Sequence, residues 1–123
     1  MQPRVLVVED EPLIALMVCD WLGEMGYAPI GPAWNVKAAL AFLERENLDA
    51  ALLDVTLGSQ HCFPVADALC ERQIPFTFAT GRGGTAIPSR HETVPVLVKP
   101  FVFEGVRDAI AKLLDGSAGS RSG

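Results

Sequence analysis

Cysteine is scarce in this chain. Cys19, Cys62 and Cys70 are its only three, an odd number with no CxxC pair among them. The simplest reading is reduced thiols in a cytoplasmic protein. Basic residues are also few: 10 Lys and Arg stand against 15 Asp and Glu, a net charge of -5. Nucleic acid and anionic membranes both attract clustered Lys and Arg, so neither is an expected partner. No apolar run approaches the ~20 residues needed to span a bilayer. The opening "MQPRVLVVED" lacks the basic, apolar, then small-residue order of a signal peptide. No internal repeat occurs.

Apolar residues, by contrast, make up half of the 123 positions, enough for a sizeable core in one domain. "RVLVV" (4–8) reads as a strand buried on both faces. After it, Leu13, Ile14, Met17, Val18, Trp21, Leu22 and Met25 follow helical spacing, with Pro12 suited to the first turn and Gly26 placed to stop the helix. "YAPIGPA" reads as a short second strand, and "NVKAALAFLEREN" as a helix capped by Asn35, with Val36, Ala39, Leu40 and Leu43 inward. "DAALLD" is a third strand, "TLGSQH" a loop and "CFPVADALCERQ" a third helix. "IPFTFATG" and "VPVLVKPF" hold a fourth and a fifth strand. Between them, "RGGTAIPSRHETVP" has Gly83, Gly84, Pro88 and Pro95 and no apolar face, so a fourth helix there is expected to be short, irregular or replaced by a loop. "FEGVRDAIAKLL" is the last helix, and the domain is expected to occupy 1–115, with 116–123 a flexible tail.

Strands alternating with helices give an α/β fold with a parallel sheet and right-handed crossovers. In such sheets, ligands bind beyond the carboxyl ends of the strands. There the sequence sets Glu9, Asp10 and Glu11 after the first strand, Asp54 after the third, Thr80 after the fourth, and Lys99 with Pro100 after the fifth. Three consecutive acids repel one another unless a cation joins them. Carboxylates with one ammonium and one hydroxyl suit Mg²⁺ and a phosphoryl group, because Mg²⁺ takes oxygen ligands and a carboxylate can attack phosphorus.

The set "VVEDEP", "ALLDVTLG", "FATG" and "VLVKPF", in this order over nearly the whole chain to about Leu114, resembles a response-regulator receiver domain of two-component signalling. The resemblance implies a doubly wound, five-stranded, flavodoxin-like sheet of order 2-1-3-4-5. It implies that Asp54 accepts a phosphoryl group, that Glu9, Asp10, Asp54 and the backbone carbonyl of Thr56 hold Mg²⁺, that Thr80 is the switch hydroxyl, and that Lys99 pairs with the phosphoryl group. The Lys99–Pro100 peptide is expected to be cis. "FTFATGRGG" and "PVLVKPF" are similar to the FATGUY subgroup of stand-alone receivers, often partnered with HWE-type sensor histidine kinases. Two positions depart from the pattern: Arg82 replaces the aromatic after the glycine, and Val96 replaces an aromatic three residues before the lysine. The implied protein is a signalling domain rather than an enzyme, with possible self-dephosphorylation only. It would be a monomer or weak dimer that takes phosphate from a sensor kinase and acts on a downstream protein partner.

Other readings exist for each element. The acids could cap the first helix, Asp54 could be a turn residue, Thr80 could bond its own turn, and Lys99 could be a solvated charge. The chain could be a receiver that docks without being phosphorylated. It could also be a small aspartate-nucleophile phosphatase, although that family has a second acid two residues after the nucleophile, where Thr56 stands. His61 with Cys62 is a poor chelating pair, "GRGGTA" lacks the GK[ST] of a phosphate loop, and Phe76 and Phe78 read as strand packing.

Overall fold

Arg4–Val8 forms β1, with Val5 to Val8 fully buried, as the run of branched apolar residues requires of a central strand. The computed structural model describes residues 2–81 and 86–122, and side chains as far as residue 116. The further strands are β2 (Ala28–Ala33), β3 (Ala50–Asp54), β4 (Thr56–Leu57), β5 (Gln60–His61), β6 (Phe76–Thr80) and β7 (Val96–Val98). The main sheet has the order β2-β1-β3-β6-β7, and its strands are parallel. Once the small β4–β5 hairpin is set aside, this is the expected 2-1-3-4-5. The expected loop "TLGSQH" is thus corrected to an antiparallel hairpin pairing Thr56 with His61 and Leu57 with Gln60.

Among the described residues four helices cover the sheet: α1 (Pro12–Glu24), α2 (Val36–Arg45), α3 (Phe63–Glu71) and α4 (Phe103–Ser122). Alternate residues of β1 feed two separate cores. Leu6 and Val8 pack with Ala39, Leu43, Val65 and Leu69, whereas Val5 and Val7 pack with Val18, Leu22, Val106 and Ile110. In α1 the buried stripe is Ala15, Val18 and Leu22, and Leu13, one of the residues that follow helical spacing, is 82% exposed. Its helical spacing puts it at the edge of an apolar arc wider than the sheet can cover. Gly26 ends that helix region at φ +93, a conformation that penalises a Cβ.

Asn35 caps α2 as its sequence requires, Oδ1 accepting from the Ala38 N–H at 2.8 Å. Asn35→Ala leaves that N–H without its partner, so urea unfolding is expected to show a loss of about 1 kcal/mol. An unchanged midpoint would mean that water replaces the cap at no cost.

Between Thr80 and β7 the described residues hold only a single 3₁₀ turn, Ser89–His91, in place of an ordinary fourth helix. Arg82, Gly83 and Gly84 lie outside the described residues. His91 is buried, its Nε2 lies 2.8 Å from Asp67 Oδ1, and its ring meets Phe76 and Phe78 edge to face. Arg90 reaches the same carboxylate with two hydrogen bonds of 2.9 and 3.1 Å. The turn is therefore tied to α3 through Asp67.

Helix α4 continues to Ser122, past Leu114 and across the segment read as a flexible tail. Gly116 and Gly119 each weaken a helix by about 1 kcal/mol relative to Ala, but no proline follows Pro100 to stop one. Among the described residues no helix is long and apolar enough to cross a membrane.

Candidate functional site

The parallel register aligns the strand ends. Val8 pairs with Leu53, Asp54 with Ala79, and Thr80 with Val98, so the residues that follow β1, β3, β6 and β7 emerge at one edge. The backbone fixes them there: Glu9 N–H donates to Ala33 O at 3.0 Å, and Lys99 N–H to Thr80 O at 2.8 Å. The Lys99–Pro100 peptide is cis, as the resemblance implies, and so is Gly31–Pro32.

At this edge Lys99 Nζ lies 2.7 Å from Asp54 Oδ2 and 2.8 Å from Glu9 Oε1. Glu9 is 1% exposed and Asp54 6%. The contact to Asp54 is an aligned hydrogen bond. Lys99 Nζ reaches Glu9 Oε1 as an ion pair, and this buried oxygen has no hydrogen-bond donor of good geometry among the described residues. Glu9 Oε2 accepts from the Glu11 N–H at 3.0 Å. Burial pushes the Glu9 carboxyl up to about 7. The Lys99 ammonium and the Glu11 N–H oppose the rise, and the Asp54 charge adds to it. Burial draws the Lys99 ammonium down, but Asp54 and Glu9 outweigh it, so its pKa ends above the ordinary lysine value. Desolvation is the largest of these contributions, because Glu9 is almost wholly enclosed, and repulsion from Asp54 is a smaller one.

Asp10 is half-buried and accepts from the Gly58 N–H at 2.8 Å through Oδ2. Glu9, Asp10 and Asp54 each offer one carboxylate oxygen, and these oxygens lie within 4.8 Å of one another. Such an all-oxygen set fits a hard divalent cation such as Mg²⁺ and is poorly matched to a soft metal. Thr56 stands at the start of the hairpin and donates its N–H to Asp54 Oδ1 at 3.3 Å. Glu11 occupies the N-cap position of α1 without a side-chain cap bond, so the acids are not there to cap that helix.

Thr80 reaches the edge, but its hydroxyl donates to its own turn, Gly81 O, at 3.3 Å. Val96 is 43% exposed on the outermost strand of the sheet. Cys62 is buried, and burial, with the Asp54 charge beside it, pushes its thiol up to about 12, which removes it as a nucleophile at neutral pH. His61 packs against Phe63, 5.7 Å between ring centres. Among the described residues it joins no metal-binding group.

Two contributors escaped the sequence reading. Gly58 could have been found, because Gly-Ser between Leu57 and Gln60 is a two-residue hairpin signal. The pairing of Asp67 with His91 spans 24 residues and had no local signal.

No family model matches the chain. Among solved structures it is similar to SdrG from Sphingomonas melonis Fr1, at 47% identity and a TM-score of 0.81, covering 92% of this chain and 97% of that one. It is also similar to the response regulator PhyR from Brucella abortus, at 27% identity and a TM-score of 0.81, covering 98% of this chain and 51% of that one. Among curated proteins, the positive alginate biosynthesis regulatory protein of Pseudomonas aeruginosa is 33% identical over 114 residues, covering 89% of this chain and 46% of the relative. The chain spans about half the length of the curated relatives it matches in this way.

Proposed function

The chain belongs to the receiver domains of response regulators, and on that premise we propose that it is a phospho-accepting switch whose acceptor is Asp54. The observation that carries this reading is the placement of Lys99 Nζ within 2.8 Å of two buried carboxylates, with a third carboxylate alongside. A half-buried lysine bridging two acids neutralises only part of their charge. The remaining negative charge is what a cation and an incoming electrophile require.

The donor is a phosphohistidine of a sensor kinase. An Asp54 carboxylate oxygen attacks phosphorus, the O–P bond forms, and the P–N bond breaks. The electron pair stays on the imidazole nitrogen, which then takes up a proton. Lys99, already aligned on Asp54, meets the charge that the transferred group brings. The Thr56 N–H on Asp54 Oδ1 holds the carboxylate plane. Glu9, Asp10, Asp54 and the Thr56 carbonyl would hold Mg²⁺, which supplies charge compensation when bound. Thr80, whose hydroxyl now bonds its own turn, is free to rotate towards the phosphoryl group. A relative at 46% identity, SdrG, has a structure in a BeF3-activated conformation, and beryllofluoride mimics a phosphoryl group on a carboxylate.

The role is signalling rather than turnover, in the cytoplasm, with a changed surface read by a downstream protein. The "FATG" and "VKPF" motifs favour the FATGUY subgroup and an HWE-type kinase. The test presents the full chain to autophosphorylated sensor kinases and to a small-molecule phosphoryl donor, with Mg²⁺. Label that is stable in acid and labile in base is the expected result. A chain that stays unlabelled by every donor overturns the acceptor reading and favours docking without phosphorylation.

A further inference from the structure

The hairpin after Asp54 has a two-residue loop, Gly58-Ser59, between the paired residues Leu57 and Gln60. Gly58 sits at φ +61, and Ser59 is not in the positive-φ region. Positive φ at only the first loop position is the pattern of a II′ hairpin turn, where glycine is preferred. In such a two-residue loop the first N–H takes no part in the strand pairing. Here that N–H crosses to a different loop, 48 residues away in sequence, and donates to Asp10 Oδ2 at 2.8 Å. Other attachments hold the hairpin in place. Cys62 N–H donates to Val55 O at 2.9 Å, Leu57 is buried in the core, and Gln60 Oε1 accepts from the Val36 N–H at the start of α2 at 3.4 Å. The donor aimed at Asp10 is therefore mounted on a braced element, while Asp10 itself stands just beyond the end of a strand with a half-exposed side chain.

We propose that Gly58 is a positioning residue for the cation site: its backbone N–H, presented by the hairpin turn, fixes one oxygen of Asp10 and so turns the other towards the carboxylates of Glu9 and Asp54. This inference rests on the reading of those three acids as the cation site. It adds that the site's geometry is set in part by a backbone donor on the hairpin. A carboxylate free to rotate must be ordered when the cation binds, and that cost appears as weaker binding. A Cβ at position 58 would meet no atom within 4 Å, so the effect of Gly58→Ala acts through φ rather than through a clash.

The test is a Mg²⁺ titration of the full chain, ¹⁵N-labelled, followed by the backbone amides of residues 56 and 58. Melting temperature without metal serves as the fold control. In the wild type both amides should shift along one binding curve. Gly58→Ala disfavours the positive φ and should raise the Mg²⁺ dissociation constant about threefold. Gly58→Pro removes the N–H and reverses φ, and should raise it tenfold or more. Ser59→Gly loosens the same turn without touching the donor and should leave Mg²⁺ affinity within twofold. Wild-type affinity in both Gly58 variants, an unmoved Gly58 amide while Thr56 shifts, or an equal loss in Ser59→Gly would each overturn the positioning role. A wild type that ignores Mg²⁺ altogether would overturn the cation site and this inference with it. Should Gly58→Pro fail to fold, the Gly58 amide in the wild type and the Gly58→Ala variant still decide the matter.

Discussion

Asp54→Asn is expected to abolish phosphoryl uptake, by at least about a thousandfold, while the protein remains folded. A carboxamide has the shape of the carboxylate but lacks the charged oxygen that attacks phosphorus; a thousandfold loss corresponds to about 4 kcal/mol of barrier. The local structure tolerates the change. The amide oxygen can still accept the Thr56 N–H, and Lys99 keeps Glu9 as an anionic partner. Removing the Asp54 charge also removes one of the contributions that raise the Glu9 pKa. Stability of the metal-free protein should therefore change little. Phosphotransfer from an autophosphorylated kinase, read beside a melting curve, tests both halves. Uptake at the wild-type rate would move the nucleophile elsewhere, and loss of folding would make Asp54 a structural residue instead.

Strand ends were the part of the site that could be read without coordinates. An apolar strand that stops at a carboxylate, as "ALLD" does, places that group at the edge of a parallel sheet whatever the loops do. The register of β1, β3, β6 and β7 then does the rest. What stayed hidden depends on distance in sequence. The Gly58 to Asp10 bond and the Asp67 to His91 pair join segments 48 and 24 residues apart, and no period or cap announces them. The end of α4 is governed by weaker signals. Gly, Ser and Ala after Leu114 read as a linker by composition, yet none of them forbids a helical turn once a helix is under way. The outward side of α1 shows the opposite limit. Leu13 fits an apolar stripe but stays 82% exposed, because a stripe seven residues strong is wider than the face the sheet can bury. That the described residues between Thr80 and β7 form no ordinary helix was legible, since prolines and glycines act locally. What replaces it, a turn tied to α3 through a shared carboxylate, was not.

Glu9→Gln should stabilise the metal-free protein above neutral pH and leave it almost unchanged near pH 5. The sign follows from the direction of the Glu9 shift. Its carboxyl ionises near 4.5 in the unfolded chain and at about 7 in the fold. Between those values the native state holds a proton that the unfolded state has lost, so stability is greatest below 4.5 and falls as pH rises towards 7. A shift of that size corresponds to about 3 kcal/mol at pH 8, an order-of-magnitude figure for a side chain only 1% exposed. Glutamine keeps an acceptor for the Glu11 N–H and carries no charge to desolvate, while Lys99 retains Asp54. Urea unfolding at pH 8 should place the variant about 3 kcal/mol above the wild type, a figure that already contains the attraction to Lys99. A cation in the cluster works the other way. It favours ionised Glu9 and stabilises the native state in proportion to its occupancy. Tens of millimolar Mg²⁺ should thus raise the wild type at pH 8 and close most of the gap, with a smaller gain in the variant. The fourfold comparison of pH 5 and 8, with and without Mg²⁺, separates the two causes. Wild-type stability flat between pH 5 and 8 would remove the buried ionisation from the account. A pH-dependent fall that Mg²⁺ does not repair would leave the acid cluster costly, with no cation to explain why it is there.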